Sequence, residues 1–253
     1  MRSGGSRFPA EVEVISAGAG PAPMFIIYVR DISENKAAEA ERLRYAEDIK
    51  CTLVQTLLAV SKTIEMRDPY TAGHQRRVAH LAASMARLMG LADEQVEGIF
   101  LGALIHDIGK IAVPAEILSR PGALHEEDIN YLKIHCSRGY EILSPIDFPW
   151  PIAEIALQHH EHLDGSGYPQ GLRGRDILLE SRIVCIADIT DAMTSHRPYR
   201  PAISLEKALL SISSKAGIWY DEDAVAACTQ LFEEGYHIDA ADLEALAWLI
   251  KPR

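Results

Sequence analysis

Residues 106–110 read His-Asp-Ile-Gly-Lys and close an apolar helix, and this stretch decides how the rest of the chain is interpreted. Gly109 is a typical helix stop, because glycine reaches the left-handed backbone conformation without strain. Adjacent side chains on a helix point about 100° apart, so His106 and Asp107 at a helix end can reach one metal ion from neighbouring directions. A single His-Asp pair also has an ordinary interpretation, a capping aspartate beside a half-buried histidine.

Other histidines and carboxylates favour the metal site. His74 lies on the preceding predicted helix, His135 ends a later one, and the pair His159-His160 ends another. Asp188 lies inside an apolar helix, where an unpaired carboxylate would carry a large desolvation penalty that a bound cation removes. These positions together make an isolated helix cap the weaker explanation.

The composition describes a globular, acidic chain. It has 253 residues, 48% hydrophobic and 24% charged, with a net charge of −11. This balance argues against a protein that coats a nucleic acid polymer, which needs clustered Lys and Arg. The longest apolar run, near residues 24–29, is far shorter than the roughly 20 residues of a membrane helix, and no signal peptide is evident, so we expect a cytoplasmic protein without a membrane segment. The cysteines lack metal-knuckle spacing and are expected to be reduced thiols packed as small apolar groups: Cys51, Cys136, Cys185 and Cys228.

The first 32 residues predict a strand, a turn and a strand. The ending Asp31-Ile32-Ser33 resembles the last hairpin of a PAS sensory domain, so residues 1–32 are interpreted as a C-terminal PAS fragment.

Residues 33–66 contain no Gly or Pro and predict a linker helix. Its apolar residues recur at steps of three and four, which is typical of a coiled coil, and we expect a homodimer through this seam. The alternative is that the second half of the helix simply begins the helical core. The seam comprises Leu43, Ala46, Ile49, Leu53, Leu57, Val60 and Ile64.

Helical periodicity continues from there almost to the end of the chain. We therefore expect an all-α catalytic domain over residues 67–236, followed by a tail or short helix over residues 237–253. Residues 165–174 form the one long glycine-rich loop.

Five separated motifs, in this order, resemble the HD-GYP domain, a subgroup of the HD phosphohydrolases: His74; His106-Asp107; His135; His159-His160 with Gly165-Ser166-Gly167-Tyr168-Pro169; and Asp188. The resemblance implies an HD-domain helical bundle that hydrolyses the bacterial messenger cyclic di-GMP to linear pGpG, GMP or both. A phosphodiesterase for another cyclic dinucleotide, such as cyclic GMP-AMP, remains open. A second alternative is a non-hydrolytic receptor or docking module for GGDEF-domain proteins.

The resemblance also implies a metal centre. We expect two divalent ions, with iron or manganese suited to imidazole and carboxylate ligands, although zinc or nickel could also bind. Family members with a third ion carry Glu at the position of Tyr70. One ion would be held by His74, His106, Asp107 and Asp188, and the other by Asp107, His135, His159 and His160.

Substrate contacts follow from the same resemblance. Lys110 is expected to act in catalysis with His106 and Asp107 by placing an ammonium group beside the phosphate. Its ordinary alternative is a solvated lysine at a helix C-terminus. Tyr168 could pack against a guanine or a partner protein, or be an ordinary packed tyrosine. Further substrate contacts are expected from Asp191, Arg197, Arg200, Gly167, Tyr168 and Pro169.

Overall fold

The computed structural model describes residues 7–17, 24–67, 72–120, 122, 125–195 and 202–237. These residues are mostly helical with one two-stranded antiparallel hairpin, which confirms the predicted fold class. The chain divides into two compact units, with the boundary between Leu53 and Val54. Among the described residues, no helix combines the length and apolar character needed to cross a membrane.

The first unit contains the hairpin. Strand β1 (Ala10–Ala17) pairs with strand β2 (Met24–Asp31) so that Ala10 lies opposite Asp31. The Asp31 carboxylate accepts hydrogen bonds from the backbone N–H and the hydroxyl of Ser33, at 2.9 and 2.6 Å, and so caps the following helix. A hairpin of this kind occurs in many folds, and its assignment to a PAS domain stays a prediction.

Helix α1 (Ser33–Arg67) runs from the first unit into the second. Leu43 and Ile49 of the predicted seam are exposed, whereas Leu57 and Ile64 are buried within the second unit. This difference matches the alternative in which the second half of the helix begins the helical core. The dimer through the seam stays a prediction.

The second unit is a bundle of helices. Two short 3₁₀ helices, Ile108–Ala112 and Gly174–Asp176, lie among the α-helices. The described helices after α1 are α2 (His74–Leu88), α3 (Asp93–Ile105), α4 (Ala115–Leu118), α5 (Glu126–Leu143), α6 (Ile152–Gln158), α7 (Leu179–Thr194), α8 (Leu205–Ser213) and α9 (Glu222–Glu233).

Helix α3 forms the centre of this bundle, and nearly all of its residues from Val96 onward are buried. Two glycines on α3 allow close packing. A Cβ added to Gly98 would lie 2.5 Å from the Trp150 side chain, and one added to Gly102 would lie 2.5 Å from Cδ1 of Ile155 on α6. Because α3 and α6 approach this closely, the residues that follow their C-terminal ends are brought together.

Candidate metal centre

The predicted metal ligands converge at one place in the second unit. His106 directly follows α3 and His159 directly follows α6, and their ring centroids lie 4.8 Å apart. His74 is the first residue of α2. The C-terminal ends of helices carry partial negative charge, which favours a cation. The residues that come together in overlapping groups are His74, His106, Asp107, His135, His159, His160 and Asp188.

Backbone carbonyl groups fix the orientation of three of the histidine rings. Each ring uses Nδ1 to contact the carbonyl oxygen three residues earlier, so Nδ1 carries the proton and Nε2 keeps its lone pair. These contacts are His106 with Ala103 at 2.7 Å, His135 with Leu132 at 2.6 Å, and His159 with Ala156 at 2.9 Å. The Nε2 atoms of His135 and His159 lie only 3.2 Å apart. Two lone pairs at this distance repel each other unless a cation lies between them.

His74 is oriented by a carboxylate instead of a carbonyl. Its Nδ1 lies 2.6 Å from Oδ2 of Asp191, which also contacts the Arg77 guanidinium at 2.6 and 3.0 Å. The Nε2 atom of His74 is buried and lies 3.1 Å from Oδ1 of Asp188, inside the cluster. A carboxylate behind a histidine whose other nitrogen faces the ion is the usual support of a metal ligand.

The contacts of Asp191 do not fit the predicted role in substrate binding. Both carboxylate oxygens are already engaged by His74 and Arg77, and the side chain is nearly buried. A carboxylate would also repel a phosphate. Neither Arg77 nor the orienting role of Asp191 was predicted from the sequence, because the contact between them depends on how α2 packs against α7.

Asp107 lies between the two predicted ligand sets. Its Oδ2 is 3.5 Å from Nε2 of His106 and 4.0 Å from Nε2 of His74. Its Oδ1 is 3.5 Å from Nε2 of His135. The two oxygens therefore face different histidines, as a bridging carboxylate requires.

Asp188 has a similar arrangement on α7. Its Oδ1 faces His74 at 3.1 Å and His106 at 3.9 Å, while its Oδ2 lies 4.0 Å from Nδ1 of His160. Two ligand atoms about 2.1 Å from one ion are separated by about 3.0 to 4.2 Å as the angle between them opens from 90° to 180°. The separations among these side chains lie in that interval, so the cluster fits a divalent metal ion.

The charge states of the cluster suit cation binding. Burial lowers the pKa of His159 well below its ordinary value and lowers that of His135, so both rings are neutral at neutral pH. Burial opposes ionisation of Asp107 and Asp188, but nearby cationic groups, Lys110 at Asp107 and His74 at Asp188, outweigh it and hold the pKa of both carboxyls well below the usual range.

His74 behaves differently from the other rings. Burial lowers its pKa, but the favourable contacts with Asp188 and Asp191 together outweigh burial and raise the pKa to about 9. In the absence of another cation, the imidazolium of His74 therefore balances two carboxylates.

Lys110 lies at the edge of the cluster and is nearly buried. Its Nζ is 2.6 Å from Oδ2 of Asp107, which also accepts a hydrogen bond from Nε2 of Gln75 at 2.9 Å. Gln75 is a further site residue that was not predicted, although its position next to His74 in the sequence indicates that it lies near the cluster. The buried ammonium group is inconsistent with a fully solvated lysine.

Cys136 is a free, buried thiol, as the sequence predicts, and it also lies among the residues of the cluster. Its Sγ is 3.5 Å from Nε2 of His135, and it shares a group of potential ligands with His159 and His160. Its position next to His135 was the signal in the sequence.

The glycine-rich loop is tied to the cluster by Glu161. This buried carboxylate accepts hydrogen bonds from three consecutive backbone N–H groups, those of Gln170, Gly171 and Leu172, at 2.7, 3.1 and 3.0 Å. A Cβ added to Gly167 would lie 2.4 Å from the backbone nitrogen of His162, so the close approach of the loop requires glycine there.

Tyr168 packs on a predicted metal ligand. Its ring centroid lies 4.8 Å from that of His160, and its backbone N–H donates to the His160 carbonyl at 3.1 Å. This contact favours the packed tyrosine over a ring that is free to bind guanine. His162 instead stacks on Trp219 at 4.9 Å and lies 3.1 Å from the Ser166 hydroxyl, so it supports the loop.

Three residues of the sequence interpretation lie outside the described residues. They are Tyr70, Arg197 and Arg200. The third-metal argument and the phosphate clamp therefore stay predictions.

Comparisons with known proteins identify the fold and its relatives. Residues 59–224 match the HD domain family model. The cyclic di-GMP phosphodiesterase response regulator RpfG of Xanthomonas campestris is 43% identical over 68% of this chain and 46% of its own length. A cyclic di-GMP phosphodiesterase of Thermotoga maritima is 41% identical over 72% of this chain and 50% of its own length. A 3′3′-cGAMP-specific phosphodiesterase of Vibrio cholerae is 38% identical over 67% of this chain and 37% of its own length.

Solved structures share the same fold. A cyclic GMP-AMP-specific phosphodiesterase from Vibrio cholerae superposes with a TM-score of 0.56 at 19% identity, over 71% of this chain and 48% of that one. A protein from Bdellovibrio bacteriovorus, described as an HDG"Y"P protein, superposes with a TM-score of 0.56 at 21% identity, over 76% of this chain and 64% of that one. The chain spans half or less of the length of the three curated relatives it matches.

Proposed function

The chain belongs to the HD domain family, and we propose that it is a metal-dependent phosphodiesterase of the HD-GYP subgroup that hydrolyses cyclic di-GMP to linear pGpG, GMP or both. The observation that carries this proposal is the convergence of histidine ring nitrogens with the buried carboxylate of Asp107 and the partly buried carboxylate of Asp188. The two relatives named cyclic di-GMP phosphodiesterases support the choice of substrate.

The proposed cofactor is a pair of divalent ions, iron or manganese. One ligand set comprises His74, His106, Asp107 and Asp188, and the other comprises Asp107, His135, His159 and His160. Ions bound there would supply Lewis acidity toward the phosphodiester and would activate a water for attack on phosphorus.

The side chains around the ions have separate roles. Asp107 would belong to both ligand sets, and Gln75 holds its carboxylate by donating a hydrogen bond. In the structure, Lys110 donates a hydrogen bond to Asp107. When a metal ion also binds the Asp107 carboxylate, the Lys110 ammonium can donate to a phosphate oxygen of the substrate. Arg197 and Arg200 hold the second phosphate of the cyclic dinucleotide in this proposal.

A second substrate, 3′3′-cGAMP, has specific support. The Vibrio cholerae relative that is 38% identical is named as specific for it. Both molecules contain the same cyclic phosphodiester linkage, so one metal centre could cleave either. Comparing kcat/KM for the two nucleotides would decide which is preferred.

The remaining proposals concern the assembly around the site. We propose that residues 1–32 belong to a PAS domain, that residues 33–66 form a dimeric linker, and that the protein acts in the cytoplasm. The Gly167–Pro169 region would be the surface that contacts GGDEF-domain proteins. A receptor without turnover is the weaker alternative, because the ligand set is complete and Lys110 is buried beside it.

The test is hydrolysis by the purified full chain after removal of metals and reloading with iron or manganese. We expect linear products from cyclic di-GMP only in the loaded protein. Replacing both His106 and Asp107 by Ala should abolish turnover, whereas the exposed change Asp147→Asn should not affect it. Intact nucleotide recovered from loaded, folded protein would favour the receptor, and turnover by the metal-free double variant would overturn the mechanism.

A further inference from the structure

Cys136 occupies an unusual position for a packed thiol. It is fully buried on α5, and its Sγ faces Nε2 of His135 at 3.5 Å. Together with His159 and His160 it completes a group in which all potential ligand atoms lie within 4.8 Å of one another. Cys228 offers a contrast, because its buried Sγ contacts the Thr190 hydroxyl at 3.6 Å and lies in none of the ligand groups found among the described residues.

The separations match those of ligands bound to one ion. A sulfur at about 2.3 Å and a nitrogen at about 2.1 Å from the same metal lie about 3.1 to 3.6 Å apart for angles between 90° and 110°. The observed distance from Cys136 Sγ to His135 Nε2 is 3.5 Å. Two nitrogens at about 2.1 Å lie about 3.0 to 3.4 Å apart over the same angles, and the His135 and His159 Nε2 atoms are 3.2 Å apart.

The chemistry of the neighbours also favours a sulfur ligand. The Leu132 carbonyl fixes the proton of His135 on Nδ1, so Nε2 presents a lone pair toward the sulfur. A thiol can satisfy this lone pair by donating its proton. A bound cation would displace that proton to solvent, and the thiolate would then supply negative charge to a ligand set that otherwise has three neutral imidazoles and one shared carboxylate.

Pairs of adjacent residues that both face the cluster recur in this site. His106-Asp107 and His159-His160 are two such pairs, and both lie at helix ends. His135-Cys136 is a third such pair, although it lies within α5 and not at the predicted helix end. Neighbouring residues on a helix point about 100° apart, which suits two positions in the coordination sphere of one ion.

We propose that Cys136 is a thiolate ligand of the ion held by His135, His159 and His160. This inference rests on the proposed metal-dependent function and refines its metal preference. Sulfur is a soft ligand, so this position disfavours manganese and accepts iron, cobalt, zinc or cadmium. The imidazole and carboxylate ligand set expected from the sequence would then gain one thiolate.

The test is spectroscopic and does not depend on turnover. Metal-free full chain is titrated with Co²⁺ or Cd²⁺, and a thiolate-to-metal charge-transfer band is recorded in the near ultraviolet. We expect the band in the unmodified chain and in the matched control Cys228→Ser, and its loss in Cys136→Ser. Loss of a residue that hydrogen-bonds to a metal ligand lowers metal affinity by roughly 10–100-fold. Because Cys136 is proposed to bind the ion directly, we expect cadmium affinity in Cys136→Ser to fall by at least this much, with a smaller change for manganese.

Two outcomes would overturn the inference. One is a chain that binds the ions and hydrolyses cyclic dinucleotide but shows no charge-transfer band, which leaves the proposed function intact. The other is a band that persists in folded Cys136→Ser. X-ray absorption of the zinc-loaded unmodified chain gives a reading independent of variants, with a sulfur neighbour expected at about 2.3 Å. Failure to bind any divalent ion would reject both this inference and the proposed function.

Discussion

Asp191→Asn tests how the site holds its ligand His74. In the structure, Asp191 contacts Nδ1 of His74 and the Arg77 guanidinium, each at 2.6 Å. Asparagine keeps the shape of the side chain but removes its charge and replaces one acceptor oxygen by a donor. Because His74 and Arg77 both donate toward this group, at least one contact becomes a clash of donors. His74 is then free to rotate away from the cluster.

The size of the effect follows from the position of Asp191 behind a ligand. Loss of a hydrogen-bond partner of a metal-bound histidine costs about 10–100-fold in metal affinity or activity. This corresponds to about 1.4 to 2.7 kcal/mol. We expect a loss near the upper end, because Asp191 is nearly buried and bears both contacts to neighbouring side chains.

The assay is competition for metal between the protein and a chromophoric chelator, combined with steady-state hydrolysis. The exposed change Asp147→Asn is the matched control and should leave both unchanged. If Asp191 contacted substrate, the variant would raise KM while the metal affinity stayed the same. Unchanged metal affinity in folded Asp191→Asn would therefore refute the role argued from the structure.

Lys110, Gly109 and the buried histidines give three further predictions. Lys110→Ala should lower kcat by about 100–1000-fold while the metal content is retained, since Lys110 is assigned to phosphate charge; loss of the metals would reject that assignment. Gly109→Ala should lower the melting temperature and the metal content, because the added Cβ would lie 1.8 Å from a backbone carbonyl oxygen of α5, whereas Gly139→Ala meets only ordinary contacts from 3.4 Å and should be tolerated. The free energy of unfolding of the metal-free chain should be greatest near pH 6.5. As pH rises from about 6.5 toward about 9, the stabilisation from the protonated His74 of the folded state is lost. As pH falls below about 6.5, the unfolded chain binds a proton at His159, whereas the buried His159 of the folded chain stays neutral, so stability falls again. Each fully titrating group contributes roughly 1.4 kcal/mol per pH unit, and denaturant unfolding that is flat between pH 5 and 9 would contradict these assignments.

The sequence predicted the helical class and which histidines and aspartates come together. The reason is local: helix ends are marked by the chain itself, and adjacent residues at a helix end point in neighbouring directions. His106-Asp107 and His159-His160 follow this rule, and both pairs face the cluster.

The contacts that support these ligands depend on packing between helices that are distant in sequence. Asp191 reaches Arg77 across 114 positions, and nothing near either residue indicates the pair. The Glu161 contacts with the glycine-rich loop also depend on how the chain folds back on itself. Cys136 was not predicted for a different reason, because the spacing between cysteines does not reveal that Cys136 follows the predicted ligand His135.

The proposed function requires that this cluster bind two divalent ions and use them to cleave cyclic di-GMP. The most direct measurement is a titration of the metal-free full chain with iron or manganese in which bound metal and linear product are quantified in the same samples. We expect no product without metal and a rate that rises to its maximum at two bound ions per chain. Turnover by the metal-free chain, or no product from a folded chain that holds two ions, would contradict the proposed function.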